Sequence, residues 1–494
     1  MVKQTGGALL LTLSIDHDAE RPIGSQLYGG LRDIILSGGL HPGERLPASR
    51  TLGRDLGISR TTVVNAYERL TAEGLIESRV GAGTYVSEVM RQNRQPPGPS
   101  ADKETGARDR RPRVSRRISE ASKHFAERLP HEHRAFTTAL PAFDAFPLDL
   151  WARQAARYWR ARLDVMLGYG EPQGYMPLRE AIAGHLRINR GISCEPGQVF
   201  VVSGAQQAFD LAATVLLDPG DVVWFENPGA IGARNSLITA GARLTPVPVD
   251  DDGLMVDVGL GRTRHFRLAF VTPSHQQPLS TMLSLERRFS LLRAADEADA
   301  MIVEDDYDGE FCYEGHPLPT LKSIDTSGRV IYVGTFSKTL FPSLRLGYFV
   351  SPPSLVDTFD QMISATQQSV PSNLQAVVAE FMNEGHFATH LRRMRRIYAE
   401  RHQVLLEAGS ERLRGLLDIV PTRSGLHTIG RLAAHLDEEA VAEKAAARGV
   451  TVAPIGRFCI EPIDTRGLVL GFSGIPPQEI RAGVRTLAEV LDGM

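Results

Sequence analysis

The sequence predicts a multidomain chain: an amino-terminal winged helix-turn-helix, a tether, and a large open α/β sheet domain. Three observations carry that reading. Two short helical segments meet at the tight Gly57-Ile58 junction and lead into a glycine-tipped hairpin. A stretch rich in Pro, Gly and Arg then interrupts the apolar periodicity. Beyond it, strand-length apolar runs alternate with helical segments, and each run ends in polar or glycine residues.

At 494 residues, 42% apolar and 23% charged, the chain has the length of two or three domains and the composition of soluble globular proteins. Its 55 Lys and Arg nearly cancel 58 Asp and Glu, so no global basic field points to nucleic acid and any DNA footprint must be local. Cys194, Cys312 and Cys459 form no C-x-x-C pair; they fit a reducing cytosol, and no disulfide or metal is expected. The run ALLLTL lacks the basic flank and cleavage site of a signal peptide, and no stretch is long and apolar enough to span a membrane. A cytoplasmic protein is expected.

From Ile23 to Ser37, Leu27, Leu31, Ile34 and Ile35 fall on one helical stripe that Gly38-Gly39 stops. A second helix is expected from near Ser49 to Gly57, and a third with Ser59 as its N-cap. Val63, Ala66, Tyr67 and Leu70 give the third helix an inward face, which leaves Arg60, Thr61, Thr62 and Asn65 near its opposite, N-terminal side. Arginine pairs with guanine or phosphate, asparagine reads adenine, and threonine hydroxyls and a free helix N-terminus suit phosphate oxygens. LIESR and TYVSE flank VGAG, whose Gly81 and Gly83 suit a turn, so this hairpin is the expected wing.

The run GERLPASRTLGRDLGISRTTVVNAYERLTAEGLIESRVGAGTYV resembles the DNA-binding domain of GntR-type bacterial regulators, giving a first domain over residues 1–88. The resemblance implies that Arg50, Arg60 and Thr61 contact operator DNA and that Gly81 sits at the wing tip. Ser59, Thr62 and Asn65 complete the expected DNA-binding set. Val64 stands where some members place a further base-reading arginine.

Residues 89–131 are arginine-rich and poor in large apolar residues, which predicts a flexible linker with helical potential in ISEASKHFAERL. A free chain of some forty residues spans roughly 35 Å, about one turn of B-DNA.

Residues 132–494 form the third part, in which QVFVVSG, DVVWFENPG, RLAFVTPSH, AMIVEDDYD and VIYVGTFSK read as strands. In such sheets the ligand lies beyond the strands' carboxyl ends. After VVSG a helix opens, so Gly204, Ala205 and Gln206 offer free amides to an anion. Strand alternation projects Asp305 and Tyr307 to one face, a carboxylate beside a phenol that can hold a protonated ring nitrogen and a ring hydroxylate. TFSKTLFPSLRLG adds the Lys338 amine, the Thr335 and Ser337 hydroxyls, and Arg345 as a second anion ligand. Pyridoxal 5'-phosphate (PLP) uses every one of these groups, with Lys338 as its Schiff-base lysine.

The constellation resembles fold type I aminotransferases, and with the amino-terminal unit the whole chain resembles the MocR-type regulators of the GntR superfamily. The resemblance implies an aminotransferase-like PLP-dependent transferase domain that binds effector and dimerises, a head-to-tail homodimer, and operator DNA and a small primary-amine effector as partners. It assigns Tyr169, in YGEPQGYMPLREAIA, to the neighbouring subunit's cofactor phosphate. Three departures matter. Ala230 replaces the aromatic residue that stacks on the cofactor, leaving that face open or filled by another residue such as His275. Gln277 stands at an aromatic position, as a donor to the ring oxygen or as a structural polar residue, and Leu279 and Ser280 replace a small residue and a glycine. Val469 stands where catalytic members place the arginine that clamps the substrate carboxylate, which argues against an ordinary α-amino acid in the usual pose. Arg234, Arg423 and Arg457 are alternative clamps.

Two functions follow. In one, a PLP-dependent transcriptional regulator senses a primary amine or amino-acid-like effector that displaces Lys338. In the other, an active aminotransferase carries a fused DNA-binding module. The missing clamp and stacking ring favour the regulator, with at most a slow transamination half-reaction.

Overall fold

Leu27, Leu31 and Ile35 recur at helical spacing and all are buried on one side of α1 (Ile23–Ser37), which ends at Gly38 in the left-handed conformation, φ 88°. This computed structural model describes residues 13, 15–16, 18–79, 82–91, 114–161, 167–366 and 370–494. They fall into two units, residues 1–111 and 112–494.

In the first unit α2 (Ser49–Asp55) and α3 (Arg60–Ala72) form the expected helix-turn-helix. A Cβ at Gly53 would stand 3.0 Å from the Ile58 carbonyl, so glycine is what lets the turn fold back onto α2. The Ser59 hydroxyl accepts from the Thr62 amide at 3.1 Å, the N-cap read from the sequence. Val63, Ala66, Tyr67 and Leu70 of α3 close over Leu27, Leu31, Ile35 and Leu52. Two antiparallel strands, β1 (Ile76–Arg79) and β2 (Gly83–Val86), make the wing, with Ile76 opposite Val86 and both buried in the same core. Its tip, including Gly81, lies outside the described residues. Ser59→Ala is expected to destabilise this unit by about 1 kcal/mol, measured as a lower urea midpoint.

The second unit takes in the end of the stretch read as a flexible linker. Ser115 caps a helix over Arg116–Ala121, and Ala126 exchanges two hydrogen bonds with the Asn235 side chain, at 3.0 and 2.8 Å. Ala121 is buried, and Ala126 and Leu129 pack against an apolar cluster around Ile231 and Phe458. Residues 114–131 therefore lie on the large unit, which begins earlier than the residue 132 expected from composition. Their spaced small and apolar side chains outweigh the arginines.

The main sheet contains β3 (Val199–Val202), β4 (Val222–Asn227), β5 (Arg243–Asp250), β6 (Gly253–Leu254), β7 (Leu268–Val271), β8 (Met301–Asp305), β9 (Val330–Thr335) and β10 (Gly347–Val350). Its order is β3-β10-β9-β8-β7-β4-β5-β6, parallel except for β10 and the two-residue β6. Because β10 lies antiparallel between β3 and β9, the carboxyl ends of β3, β9 and β8 open on the same edge. Helix Ala205–Leu216 packs Ala208, Phe209 and Ala212 on the sheet together with helix Ile231–Ala240. A second, antiparallel sheet of β11 (Leu417–Ile419), β12 (His427–Leu432), β13 (Ala453–Pro454) and β14 (Gly467–Gly471), ordered β11-β12-β14-β13, is flanked by long helices His386–Arg412 and Pro477–Asp492. No helix among the described residues is long and apolar enough to cross a membrane.

Candidate functional site

At the carboxyl edge of the main sheet is a cavity of about 240 Å³. It brings together ten of the eleven residues expected to hold a cofactor: Gly204, Ala205 and Gln206 after β3; Gln277; Asp305 and Tyr307 after β8; and Thr335, Ser337, Lys338 and Arg345 after β9. Gly204 adopts φ 120°, open only to glycine, and a Cβ at Gly347 would stand 3.0 Å from Gly204. The two glycines let β10 and the start of helix Ala205–Leu216 close into an anion cradle. Arg345, held at φ 52° after the turn Pro342–Leu344, also lines the cavity. The Thr335 hydroxyl accepts from the Ser337 amide at 3.1 Å and so starts the short helix that carries Lys338.

The segment EDDYD divides its side chains by alternation. Glu304 accepts from the Leu321 and Lys322 amides, both at 2.8 Å, and Asp306 pairs with buried Arg190 and accepts from Tyr332 at 2.6 Å; both are structural. Asp305 faces the cavity. Its Oδ1 is buried without a hydrogen-bond partner, and burial, followed by the charges of Asp306, Asp308 and Glu226, holds its pKa well above the usual carboxylate range. A buried carboxylate oxygen left open toward a cavity fits a protonated pyridine nitrogen, and the amides, Ser337 and Arg345 fit a phosphate. The donor set therefore fits PLP.

Lys338 Nζ donates to the Ala139 carbonyl at 2.9 Å, and burial lowers its pKa to about 8 against the opposing pull of Asp308 and Asp305. Tyr307 Oη lies 3.1 Å from His275 Nδ1, which is also 2.9 Å from Asp308 Oδ2. A carboxylate only accepts, so the imidazole proton sits on Nδ1 and the Tyr307 hydroxyl keeps its own proton for a ring oxygen. Asp308 Oδ2 also accepts from the Leu426 amide at 3.1 Å. His275, Asp308 and His427 offer potential metal-ligand atoms within 4.8 Å of one another; hydrogen bonds take up Asp308 Oδ2, while Asp308 Oδ1, His275 Nε2 and His427 Nε2 are buried without a partner, and through His275 Nδ1 the cluster braces Tyr307.

His275 does not line the cavity, so the expectation that it fills the stacking face left by Ala230 is corrected: its ring lies behind Tyr307, against Gly425 and His427. Tyr169 is 93% exposed and absent from the cavity. The Gln206 side chain turns away from the cradle to accept from Arg128 at 2.8 Å and to donate to the Gly232 carbonyl at 3.1 Å. None of the alternative clamps reaches the site. Arg234 donates to the Cys459 carbonyl at 2.9 Å, Arg457 pairs with Glu439, and Arg423 is exposed outside the cavity.

Sequence reasoning missed Arg128, Leu129, His131, Thr138 and Ala139, which form one wall of the cavity. The charge-rich composition of the preceding stretch concealed them; the apolar Phe136 and Leu140 that anchor the segment were the available signal. In the first unit Arg50, Arg60, Thr61 and Asn65 are exposed, as DNA contact requires. Ser59 and Thr62 are instead engaged with each other, their hydroxyls 2.8 Å apart, and the Thr62 methyl packs near Gly24.

Two family models match the chain: "Bacterial regulatory proteins, gntR family" over residues 23–86 and "Aminotransferase class I and II" over residues 141–486. The chain is 42% identical over 476 residues to the probable rhizopine catabolism regulatory protein MocR of Rhizobium meliloti, covering 96% of this chain and 95% of that one. It is 34% identical to the HTH-type transcriptional regulator TauR of Rhodobacter capsulatus, covering 92% and 94%. Among solved structures it resembles LysN, an α-aminoadipate aminotransferase of Thermus thermophilus complexed with N-(5'-phosphopyridoxyl)-L-leucine, at a TM-score of 0.68 and 29% identity over 77% of this chain and 95% of that one. The Pyrococcus horikoshii kynurenine aminotransferase gives a TM-score of 0.68 at 27% identity, with the same coverage.

Proposed function

Because the chain belongs to the MocR-type regulators of the GntR family, we propose that its cavity senses a primary amine through Lys338 and relays the event to operator DNA. It is a DNA-binding transcriptional regulator with PLP as its cofactor. The observation that carries the proposal is the meeting of Lys338, the unpartnered Asp305 oxygen and the anion cradle in one cavity.

Bound there, PLP supplies an aldehyde carbon that one primary amine can take over from another. The chain's residues prepare that exchange. Asp305 would hold the pyridine nitrogen, the Tyr307 hydroxyl would donate a hydrogen bond to the ring oxygen, and Ser337, Arg345 and the amides of Gly204 and Ala205 would hold the phosphate. Burial lowers the Lys338 pKa to about 8, so less proton work opposes its exchange than for an ordinary lysine amine. The Ala139 carbonyl, with φ 64° at that residue, gives the released amine an acceptor. Exchange alters charge and contacts in the cavity, and an effector acts on DNA only as far as it binds one arrangement of the protein better than another.

The regulator works in the cytoplasm as a head-to-tail homodimer. The 93% exposure of Tyr169 supports a partner there, since a phenol assigned to a neighbouring subunit's phosphate has to leave its own. On DNA, Arg60 at the first position of α3 is the leading contact, flanked by Arg50, Thr61 and Asn65. Arg60→Ala is expected to weaken binding to a site selected from random DNA by about tenfold or more, with the cofactor absorption band unchanged. Fluorescence anisotropy and the visible spectrum check both halves; unchanged DNA affinity would remove Arg60 from the interface.

A further inference from the structure

An amine that carries a carboxylate beside its reacting nitrogen needs a cation to meet that carboxylate, because an unpaired carboxylate in a closed site loses its water without compensation. Val469, on β14, is 1% exposed and packed among Ile231, Ile429, Ile455 and Phe458. Two of these, Ile231 and Phe458, continue through to the cavity surface, so the side where a clamp would emerge is apolar. The arginines that could have replaced it are engaged or turned elsewhere, as described above.

Two arginines do line the cavity, and we assign both to the anion end at the start of helix Ala205–Leu216, although the Arg128 charge is also felt by His131. Arg345 shares that end with Gly204 and Ser337, and Arg128 is held by Gln206 beside the same helix start. Apart from Asp305, assigned to the ring nitrogen, the polar side chains that line the cavity away from the helix start carry no charge opposite to a carboxylate other than Lys338 itself. Thr138 precedes the residue whose carbonyl takes the Lys338 hydrogen bond, and Gln277 lines the same space. His131 is kept below its ordinary pKa by burial and by the charges of Lys338 and Arg128, so as a neutral imidazole it both gives and takes a hydrogen bond. A threonine, an amide and a neutral histidine are partners for hydroxyl groups.

Resting on the amine-sensing reading above, we propose that the effector is an uncharged-tailed primary amine bearing hydroxyl groups, and that amino acids are excluded by the apolar surface around Val469. The class is that of amino alcohols and amino polyols. The recognition set is Thr138, Gln277 and His131, with Leu129, Ile231 and Phe458 as apolar walls.

Serine and 2-amino-1,3-propanediol are the test pair: they share the amine and one hydroxymethyl group, and the diol carries a second hydroxymethyl where serine carries its carboxylate. Each is titrated into full-length, PLP-loaded protein, with the shift of the cofactor absorption band as readout and concentrations expressed as free amine. The diol is expected to half-saturate at a concentration at least about tenfold below that of serine. Equal or tighter binding of serine overturns the proposal. If that preference for serine then disappears in Arg128→Gln, the carboxylate is read by Arg128, a second and independent refutation of the neutral-effector assignment. A band unmoved by serine, the diol and methylamine alike would instead bring down the amine-sensing reading, and this proposal with it.

Discussion

Lys338→Ala is expected to abolish the amine-dependent change in DNA binding while leaving DNA binding itself measurable. Lys338 is the only amine among the residues that line the cavity, and it sits in the unit that does not carry α3. Its removal takes away the group that an effector amine displaces, and frees the Ala139 carbonyl at a cost of about 1–3 kcal/mol to the large unit. The exposed face of α3 is untouched. Anisotropy titrations of a selected DNA site with and without amine check this, alongside the cofactor band, which before any amine is added should lack the contribution of the Lys338 Schiff base. A mutant that keeps the wild-type response would show that sensing does not pass through Lys338.

Gly425→Ala is expected to destabilise the large unit by about 2–5 kcal/mol. Gly425 stands at φ 88°, where an alanine pays roughly 1–2 kcal/mol for its Cβ, and that Cβ would lie 2.6 Å from His275 Nε2 and closer still to Cε1 and Nδ1. The ring has nowhere to go: His275 is buried and held by Asp308, which is itself tied to the Leu426 amide. Overpacking of this kind adds about 1–3 kcal/mol. The urea midpoint should fall, and the cofactor band should change because the displaced imidazole is the neighbour of Tyr307. Adding His275→Ala to Gly425→Ala removes the clash and should recover part of the loss, a coupling that two independent sites would not show.

Much of the site was legible because its parts lie at strand ends within short motifs. Gly204 could be placed from a helix start, Asp305 and Tyr307 from strand alternation, and Lys338 and Arg345 from the side-chain chemistry of one short motif, and all five share one cavity. The same held for α1 and α3, whose apolar spacing and caps are local properties. What escaped depends on distant partners. The role of His275 is set by Gly425 and Asp308, far off in sequence, and its offer as a stacking ring failed for that reason. The Gln206 side chain was drawn off by Arg128 and Gly232 rather than serving the anion. Composition misled at residues 114–131, where a high density of arginine masked Ala121, Ala126 and Leu129.

The wall formed by Arg128, Leu129 and His131 has a further consequence, because the same stretch of chain leads back toward the DNA-binding head. Seated on the large unit, residues 114–131 are withheld from the tether; if detached they would add up to roughly 60 Å of extended chain. The fastening is the Asn235 amide that clasps Ala126 a few residues before the wall. One short segment thus supplies both a wall of the cavity and the chain that leads to the first unit, so a substitution in it bears on both.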